Sequence, residues 1–215
     1  MKTSRLGIAL IVSGPSGAGK STVCNRLRRR HPELEFSVSC TTREPRRGEV
    51  DGKDYHFIDK MEFQRRVEND EFLEYADVHG NFYGTLKSEI MDRVEAGKDV
   101  LLDIDVQGAL QVKESSKKYS LLGKCSESVF LGPPSFDELE RRLRSRGTEK
   151  EESIRKRLDD AKSELDHWKD YDYLIINKDV EQAVKDMENL IEMLHKSTKR
   201  LEDAGFFQTL KKSLK

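Results

Sequence analysis

The stretch Gly14–Ser21, which reads GPSGAGKS, constrains the fold of this chain more than any other segment. It follows the apolar run Ile8–Val12 and fits the phosphate-binding pattern of Gly, four residues, Gly, Lys, and Ser or Thr. Glycines allow such a loop to turn tightly and to bring backbone N–H groups against phosphate oxygens. We therefore predict a strand, a nucleotide-binding loop and a helix at Ser21–Arg30, whose N-terminal dipole is directed at the same anion.

The loop pattern gives its fixed positions distinct roles. Lys20 is a compact cation on a long stem that can reach the β- and γ-phosphates, and the Ser21 hydroxyl can ligate Mg²⁺. The predicted nucleotide-binding residues of the loop are Gly14, Pro15, Ser16, Gly17, Ala18, Gly19, Lys20, Ser21 and Thr22.

The composition is that of one domain, or one domain with insertions, whose helices are well solvated. The chain has 215 residues, and 37% of them are charged against a typical share of ~25%. The formal net charge is −1, whereas a protein that binds nucleic acid in bulk would carry a strongly basic surface. We therefore expect no nucleic-acid partner.

Cysteine usage and hydropathy indicate the compartment. Cys24, Cys40 and Cys125 are odd in number and lack the spacing of metal ligands, which predicts reduced thiols. No apolar run approaches the ~20 residues that span a membrane, and the N-terminus lacks the apolar core of a signal peptide. We expect a cytoplasmic protein with no membrane partner.

Strand-like apolar runs alternate with helical patterns, which is typical of an α/β fold with a parallel sheet flanked by helices. Five runs are predicted to form the core sheet: Leu6–Val12, Phe36–Cys40, Asp99–Asp105, Ser128–Leu131 and Tyr173–Ile176. Further helices are predicted at Glu89–Ala96, Phe136–Arg146, Glu151–Trp168 and Glu181–His195. Apolar residues at helical spacing in the last two, Trp168 included, are predicted to belong to the core.

Two segments interrupt this alternation. Residues 41–86 are rich in glycine, charged residues and aromatics, which predicts a small β-rich insertion. Residues 147–157 begin with a polar interruption between two helices and are predicted to form a lid. The core then comprises residues 1–40, 87–146 and 158–196, and residues 197–215 form a C-terminal tail without an assigned role.

Several side chains in and around the insertion suit phosphate chemistry. Asp103 ends an apolar strand, where a nucleotide site needs an acid for the Mg²⁺ shell. Arg43 and Arg46 lie in a loop bounded by Pro and Gly, and guanidinium groups pair with phosphate through two hydrogen bonds. Taken alone, such a loop can equally be a solvated basic turn. Its position beside the phosphate loop favours a role in binding a second phosphate.

Six blocks of the sequence together resemble guanylate kinases, enzymes that phosphorylate GMP at the expense of ATP. They read GPSGAGKS, SCTTREPRRGEVDGKDYHF, NDEFLEYADVHGNFYG, LLDIDVQG, RRLRSRGTEKEESIRKRL and LIIN, and they follow the family order between about Leu6 and Leu194. The resemblance implies a P-loop kinase in three parts: a parallel five-stranded core, a GMP-binding insertion and a lid. It also implies Mg²⁺ as cofactor and ATP as co-substrate; a monomer or a homodimer is expected.

The resemblance further implies roles for matching residues. The GMP phosphate would bind Arg43, Arg46, Tyr55 and Tyr83, and guanine would bind Ser39, Glu74, Thr85 and Asp105. ATP would bind the phosphate loop, with Asn177 near the adenine, Arg146 and Arg157 closing on the phosphates, and Ser21 and Asp103 at the metal. The implied catalytic residues are Lys20, Arg43, Arg146 and Arg157. Two departures from the family pattern are Thr85, where Ser is usual, and Cys40, where Ser is frequent.

Elementary chemistry is consistent with these roles. Guanine offers N1–H and its 2-amino group side by side, so that one carboxylate such as Glu74 can accept both, whereas adenine presents a lone pair at N1. The attacking group is already an anionic phosphate oxygen, so the reaction needs alignment and positive charge rather than a general base.

Two alternatives remain at this stage. A guanylate-kinase-like scaffold without catalysis usually has a degraded phosphate loop, whereas Gly19, Lys20 and Ser21 are intact here. A P-loop kinase for another small substrate is the second alternative, and Glu74 and Asp105 argue against it.

Overall fold

The computed structural model describes residues 5–78, 80–145 and 151–201. Its strands are β1 Ala9–Ser13, β2 Glu35–Phe36, β3 Cys40–Thr41, β4 His56–Phe57, β5 Phe72–Val78, β6 Asn81–Leu86, β7 Val100–Asp103, β8 Ser126–Gly132 and β9 Tyr173–Ile176. Its helices are α1 Lys20–Arg30, α2 Lys60–Glu68, α3 Lys87–Glu95, α4 Val106–Lys118, α5 Ser120–Cys125, α6 Phe136–Arg144, α7 Glu151–Leu165 and α8 Val180–Leu194.

The core is a five-stranded sheet in the order β2-β7-β1-β8-β9, and every pair in it is parallel. This confirms the predicted α/β fold with a parallel five-stranded core. The central strand β1 is apolar without interruption because helices cover both of its faces. Ile8, Leu10 and Val12 pack with α1 and α8, and Ala9 and Ile11 pack with α3, α4 and α5.

The direction of the strands fixes where a site can form. Strand β1 ends at Ser13, immediately before the glycine-rich loop, and β7 ends at Asp103, whose neighbour in the register of β1 is Val12. Since the carboxyl ends of parallel strands meet at one edge of the sheet, loop and carboxylate lie side by side there.

The insertion forms a second sheet in the order β4-β3-β6-β5. Helix α2 covers one of its faces through Phe63, whose ring stacks on those of Phe72 at 4.4 Å and Phe82 at 5.3 Å. Cys40 is buried in the same small core. The insertion is therefore not purely β-rich, because a helix supplies the apolar cover that one face of an open sheet requires.

The strand predicted at Phe36–Cys40 is divided between the two sheets. Phe36 pairs with Leu101 of the core, whereas Cys40 pairs with Gly84 and His56 of the insertion. One apolar run cannot indicate this division, because pairing partners distant in sequence decide it.

Two further predictions are wrong in detail, and three helices were missed. Strand β7 ends at Asp103, so Asp105 lies beyond it as the N-cap of α4. The helices α2, α4 and α5 were not predicted. Trp168 is 46% exposed rather than in the core, because α7 ends at Leu165 and a tighter 3-10 turn follows, which rotates later residues off the apolar stripe.

Parts of two predicted segments lie outside the described residues: residues 146–150, which include Arg146 and the start of the predicted lid, and residues 202–215 of the tail. Within the described part of the chain, no helix combines the length and the apolar character needed to cross a membrane.

Candidate active site

The loop between β1 and α1 adopts a backbone that requires glycine. Gly14, Gly17 and Gly19 have φ values of 142°, 90° and 93°, which side chains rarely allow. A Cβ atom at Gly14 would also lie only 2.2 Å from the carbonyl oxygen of Leu131. Helix α1 begins at Lys20, so its unpaired N–H groups open onto the loop. Most of the predicted loop residues line a cavity of about 210 Å³ above it.

Lys20 and Ser21 lie at the edge of the sheet as the loop pattern predicts. The Nζ of Lys20 donates a hydrogen bond to the carbonyl oxygen of Gly14 at 2.6 Å, and the Oγ of Ser21 donates to Oδ2 of Asp103 at 3.0 Å. Burial raises the pKa of Asp103, and the charge of Lys20 opposes that rise.

The Ser21 and Asp103 oxygens suit Mg²⁺. This ion prefers oxygen ligands and is commonly held by one or two protein groups, with phosphates and water completing its shell. No cluster of three or more His, Cys, Asp or Glu side chains suited to a metal occurs in the described ranges, so a metal here would depend on the nucleotide for most of its ligands.

Asn177 lies beneath the loop. Asn177 is 1% exposed, and its Nδ2 donates a hydrogen bond to the carbonyl oxygen of Ala18 at 2.8 Å. Arg142 joins it, with Nη2 donating to the carbonyl oxygen of Asn177 at 3.0 Å. The visible role of Asn177 is thus to hold the loop, and its contact with adenine stays a prediction. Arg142 was not singled out from the sequence, because four arginines stand within six residues there.

Helix α7 contacts the loop at Ser16. The Nη2 of Arg157 donates to its Oγ at 2.6 Å, and the backbone N–H of Ser16 donates to Oε2 of Glu164 at 3.2 Å. The structure therefore brings Arg157 to the nucleotide loop, as the resemblance implies. Glu164 was missed, since its sequence context is an ordinary charged helix.

The guanine-binding candidates meet between the second sheet and α4. Glu74 of β5 is 7% exposed and lies opposite Thr85 in the β5–β6 pair. Burial raises the pKa of the Glu74 carboxyl to about 7; hydrogen bonding from Thr85 opposes the rise and the charge of Asp105 adds to it. The hydroxyl oxygens of Ser39 and Thr85 lie 3.2 Å apart. The four predicted residues therefore lie near one another around a desolvated carboxylate.

A glycine that sequence reasoning missed shapes this pocket. Asp105 caps α4 by accepting the N–H of Gly108 at 2.7 Å, and a Cβ atom at Gly108 would lie 2.8 Å from Oε2 of Glu74. Glycine therefore lets the carboxylate lie against the first turn of α4. The signal was available as an Asp followed by Gly three residues later, the spacing of an N-cap whose third position must be small.

The phosphate-binding candidates form a separate group. The Arg43 guanidinium donates to Tyr83 at 3.3 Å and lies over the ring of Tyr55, and the two tyrosine rings meet edge to face. Arg43 also makes two hydrogen bonds of 2.9 and 3.0 Å to Glu49, which hold the pKa of that carboxyl below its usual range. The Arg46 side chain is exposed beside them. Glu49 was missed, and it balances the charge of Arg43.

One cavity connects the two groups. It has a volume of about 270 Å³ and lies between α1 and the second sheet, with Ser21 and Asp103 on one side and Ser39, Tyr55 and Thr85 on the other. Ser21, at the end of the loop, and two of the guanine-binding candidates, Ser39 and Thr85, therefore face a common space, as direct transfer between two bound substrates would require.

Comparison with known proteins places this geometry in a family. The family model described as Guanylate kinase matches residues 7–194. A guanylate kinase of Carboxydothermus hydrogenoformans is 49% identical over 185 residues, covering 86% of this chain and 87% of the relative. One of Fusobacterium nucleatum is 49% identical over 187 residues, covering 87% and 97%. The crystal structure of guanylate kinase from Anaplasma phagocytophilum matches with a TM-score of 0.72 at 37% identity, covering 93% and 92%.

Proposed function

The chain belongs to the guanylate kinase family, and from this premise we infer that it transfers the γ-phosphoryl group of ATP to GMP, giving ADP and GDP. The observation that carries this inference is an intact phosphate loop together with a buried carboxylate, Glu74, whose strand neighbour Thr85 lines the same cavity as Ser21 and Asp103. The scaffold alternative is not favoured, because the relatives are named guanylate kinases and the loop keeps every residue of the pattern.

We propose that Glu74 selects the base. In its ionised form it accepts hydrogen bonds from N1–H and the 2-amino group of guanine, while the hydroxyls of Ser39 and Thr85 face O6. Adenine would leave this buried carboxylate without donors, and unpaired groups of this kind reject the wrong ligand strongly.

Arg43, Tyr55 and Tyr83 would hold the GMP phosphate, with exposed Arg46 able to turn inward. Phosphate binding replaces the Glu49 carboxylate as the anion on Arg43, so the arginine is oriented before the substrate arrives. This preorganisation lowers the entropy lost on binding.

At the other side of the cavity, the loop N–H groups and Lys20 would bind the β- and γ-phosphates of ATP. The GMP phosphate oxygen attacks the γ-phosphorus in line with the departing β,γ-bridging oxygen, and it carries no proton that a base must remove. Lys20 and Arg157 stabilise the negative charge that develops on the transferred group and the leaving oxygen. Arg146 is proposed to act with them.

Ser21 and Asp103 would hold Mg²⁺ with the ATP phosphates, and the ion would supply charge neutralisation at the transferred group. A cytoplasmic location is proposed as well, since Cys24, Cys40 and Cys125 are buried cysteines outside any disulfide, as a reducing compartment maintains them.

A coupled assay that measures ADP release tests the function, with ATP as donor and GMP, AMP, CMP or UMP as acceptor. We expect turnover with GMP far above that with the other three. Lys20→Ala should lower kcat by at least ~100-fold at an unchanged melting temperature, because the lysine acts mainly on charge that develops in the transition state. Near-normal turnover of that variant, or equal rates with AMP, would contradict the proposal.

A further inference from the structure

Helix α7 brings two opposite charges to one residue of the phosphate loop. Arg157 donates to the side chain of Ser16, and Glu164 accepts its backbone N–H. The two residues are seven positions apart, which places them on one face of the helix about 10 Å from each other. The loop is thus held by a cation and by an anion of the same element.

The anion is the unexpected member of this pair. N–H groups of such a loop are positioned for phosphate oxygens, and here one of them is bonded to a carboxylate oxygen. Glu164 is half-buried and faces the site: Lys20 attracts its charge, whereas Asp105 and Asp160 repel it. A carboxylate at this position lies within the electrostatic reach of any triphosphate bound to the loop.

We propose that Glu164 is a positioning residue that docks α7 on Ser16 in the nucleotide-free protein and is driven off when the triphosphate of ATP binds. The triphosphate repels Glu164 and attracts Arg157. Binding of ATP therefore releases Glu164 from the loop and draws Arg157 to the phosphates. Because ATP must break the Glu164 contact in order to bind, this contact lowers the apparent affinity of the protein for ATP. This inference rests on the proposed function for the identity of the nucleotide.

Calorimetric titration with the non-hydrolysable β,γ-imido analogue of ATP, without GMP, tests the proposal. Glu164→Gln keeps a hydrogen-bond acceptor and the side-chain size but removes the charge. We expect its Kd for the analogue to fall at least about threefold, since one nearby negative charge is gone. The KM for GMP should be unchanged. Glu164→Ala should tighten binding of the analogue at least as much. This second variant tests the proposal if Glu164→Gln folds poorly.

Asp159→Asn is the matched control. Asp159 lies on the same helix, its side chain is 75% exposed, and it pairs with Lys162 at 3.3 Å. Removing this charge should leave the Kd unchanged. An unaltered or weaker Kd in both Glu164 variants would overturn the proposal, and so would equal tightening in Asp159→Asn, which would indicate a general charge effect. A purely structural Glu164 would change the melting temperature and not the Kd.

The measurement does not depend on turnover. If the wild-type protein binds the analogue but fails to phosphorylate GMP, the proposed function is wrong and the Glu164 result still stands. If GMP is phosphorylated and the Glu164 variants bind the analogue like the wild type, only the inference is wrong.

Discussion

Glu74 links base recognition to protonation. Its carboxyl is 7% exposed, and in the empty pocket burial raises its pKa to about 7. In the role proposed for Glu74, guanine supplies two N–H donors to the ionised form, so GMP binding would favour the carboxylate and lower its pKa. The free protein therefore holds a proton on Glu74 at pH values below about 7 and must release it when guanine binds.

We predict that GMP affinity falls as the pH drops from 7.5 to 5.5, approaching about tenfold per pH unit well below the pKa. Calorimetric Kd values for GMP across this range measure the effect. Glu74→Gln is the control, because it leaves only the titration of the GMP phosphate, whose pKa lies near ~6. At pH 8 the same variant should lose ~1–3 kcal/mol in kcat/KM for GMP. If the Kd for GMP changes with pH in the same way in the wild type and in Glu74→Gln, Glu74 does not bind guanine.

At the scale of elements, a buried ion pair fastens the chain after α8. Arg200 is 1% exposed and lies in the 3-10 turn Thr198–Arg200. Its guanidinium donates to Oε1 of Glu127 at 2.7 Å and to the carbonyl oxygens of Lys124 and Leu194. Glu127 lies at the start of β8, so this turn is tied to the central sheet. The family model ends at residue 194, so this anchor lies beyond the matched segment.

We predict that Arg200→Met lowers the free energy of unfolding by about 3 kcal/mol, because the buried Glu127 carboxylate loses its guanidinium partner at 2.7 Å and keeps longer contacts, to Tyr173 at 3.3 Å and to Lys199 at 3.8 Å. Urea denaturation measures the change. The control is Lys196→Met, an exposed lysine just before the same turn, which should stay within about ±0.5 kcal/mol. Replacing both Arg200 and Glu127 with apolar residues should recover much of the loss. Equal stability of the two single variants would show that the pair contributes nothing.

For the whole molecule, the reaction requires two sheets to act together. The core sheet carries the nucleotide loop and the second sheet carries Glu74 and Thr85, and the 270 Å³ cavity has Ser21 and Asp103 on one side and Thr85 on the other. Arg157 reaches the loop from α7, where the proposed role places its charge beside the transferred group. Water is then excluded from the phosphoryl group as well.

Arg157→Ala should therefore lower kcat by about 30-fold or more and change the KM for GMP much less, since charge on the transferred group matters most in the transition state. Arg155→Ala is the control: that side chain is 76% exposed on the same helix and should have near-normal kinetics. Steady-state kinetics with both substrates varied separate the two constants. An unchanged kcat with weaker GMP binding would contradict the role of Arg157 in transfer.

Local sequence determined a large part of this protein. The strand, loop and helix around Lys20 follow from residue types within one short stretch, because glycine conformations, apolar burial and the helix start are all local properties. The parallel core was predictable for the same reason, since continuous apolar runs that alternate with helical patterns indicate strands buried on both faces.

Tertiary structure alone decided the rest, because it depends on contacts between residues far apart in the chain. The division of the Phe36–Cys40 run between two sheets follows from its separate partners, Leu101 and Gly84. Only folding brings Gly108 against Glu74, Glu49 onto Arg43 and Glu164 onto Ser16. Nothing in the local sequence marks Glu49 or Glu164, since an acid on a charged surface and an acid aimed at a buried site look alike until the chain has folded.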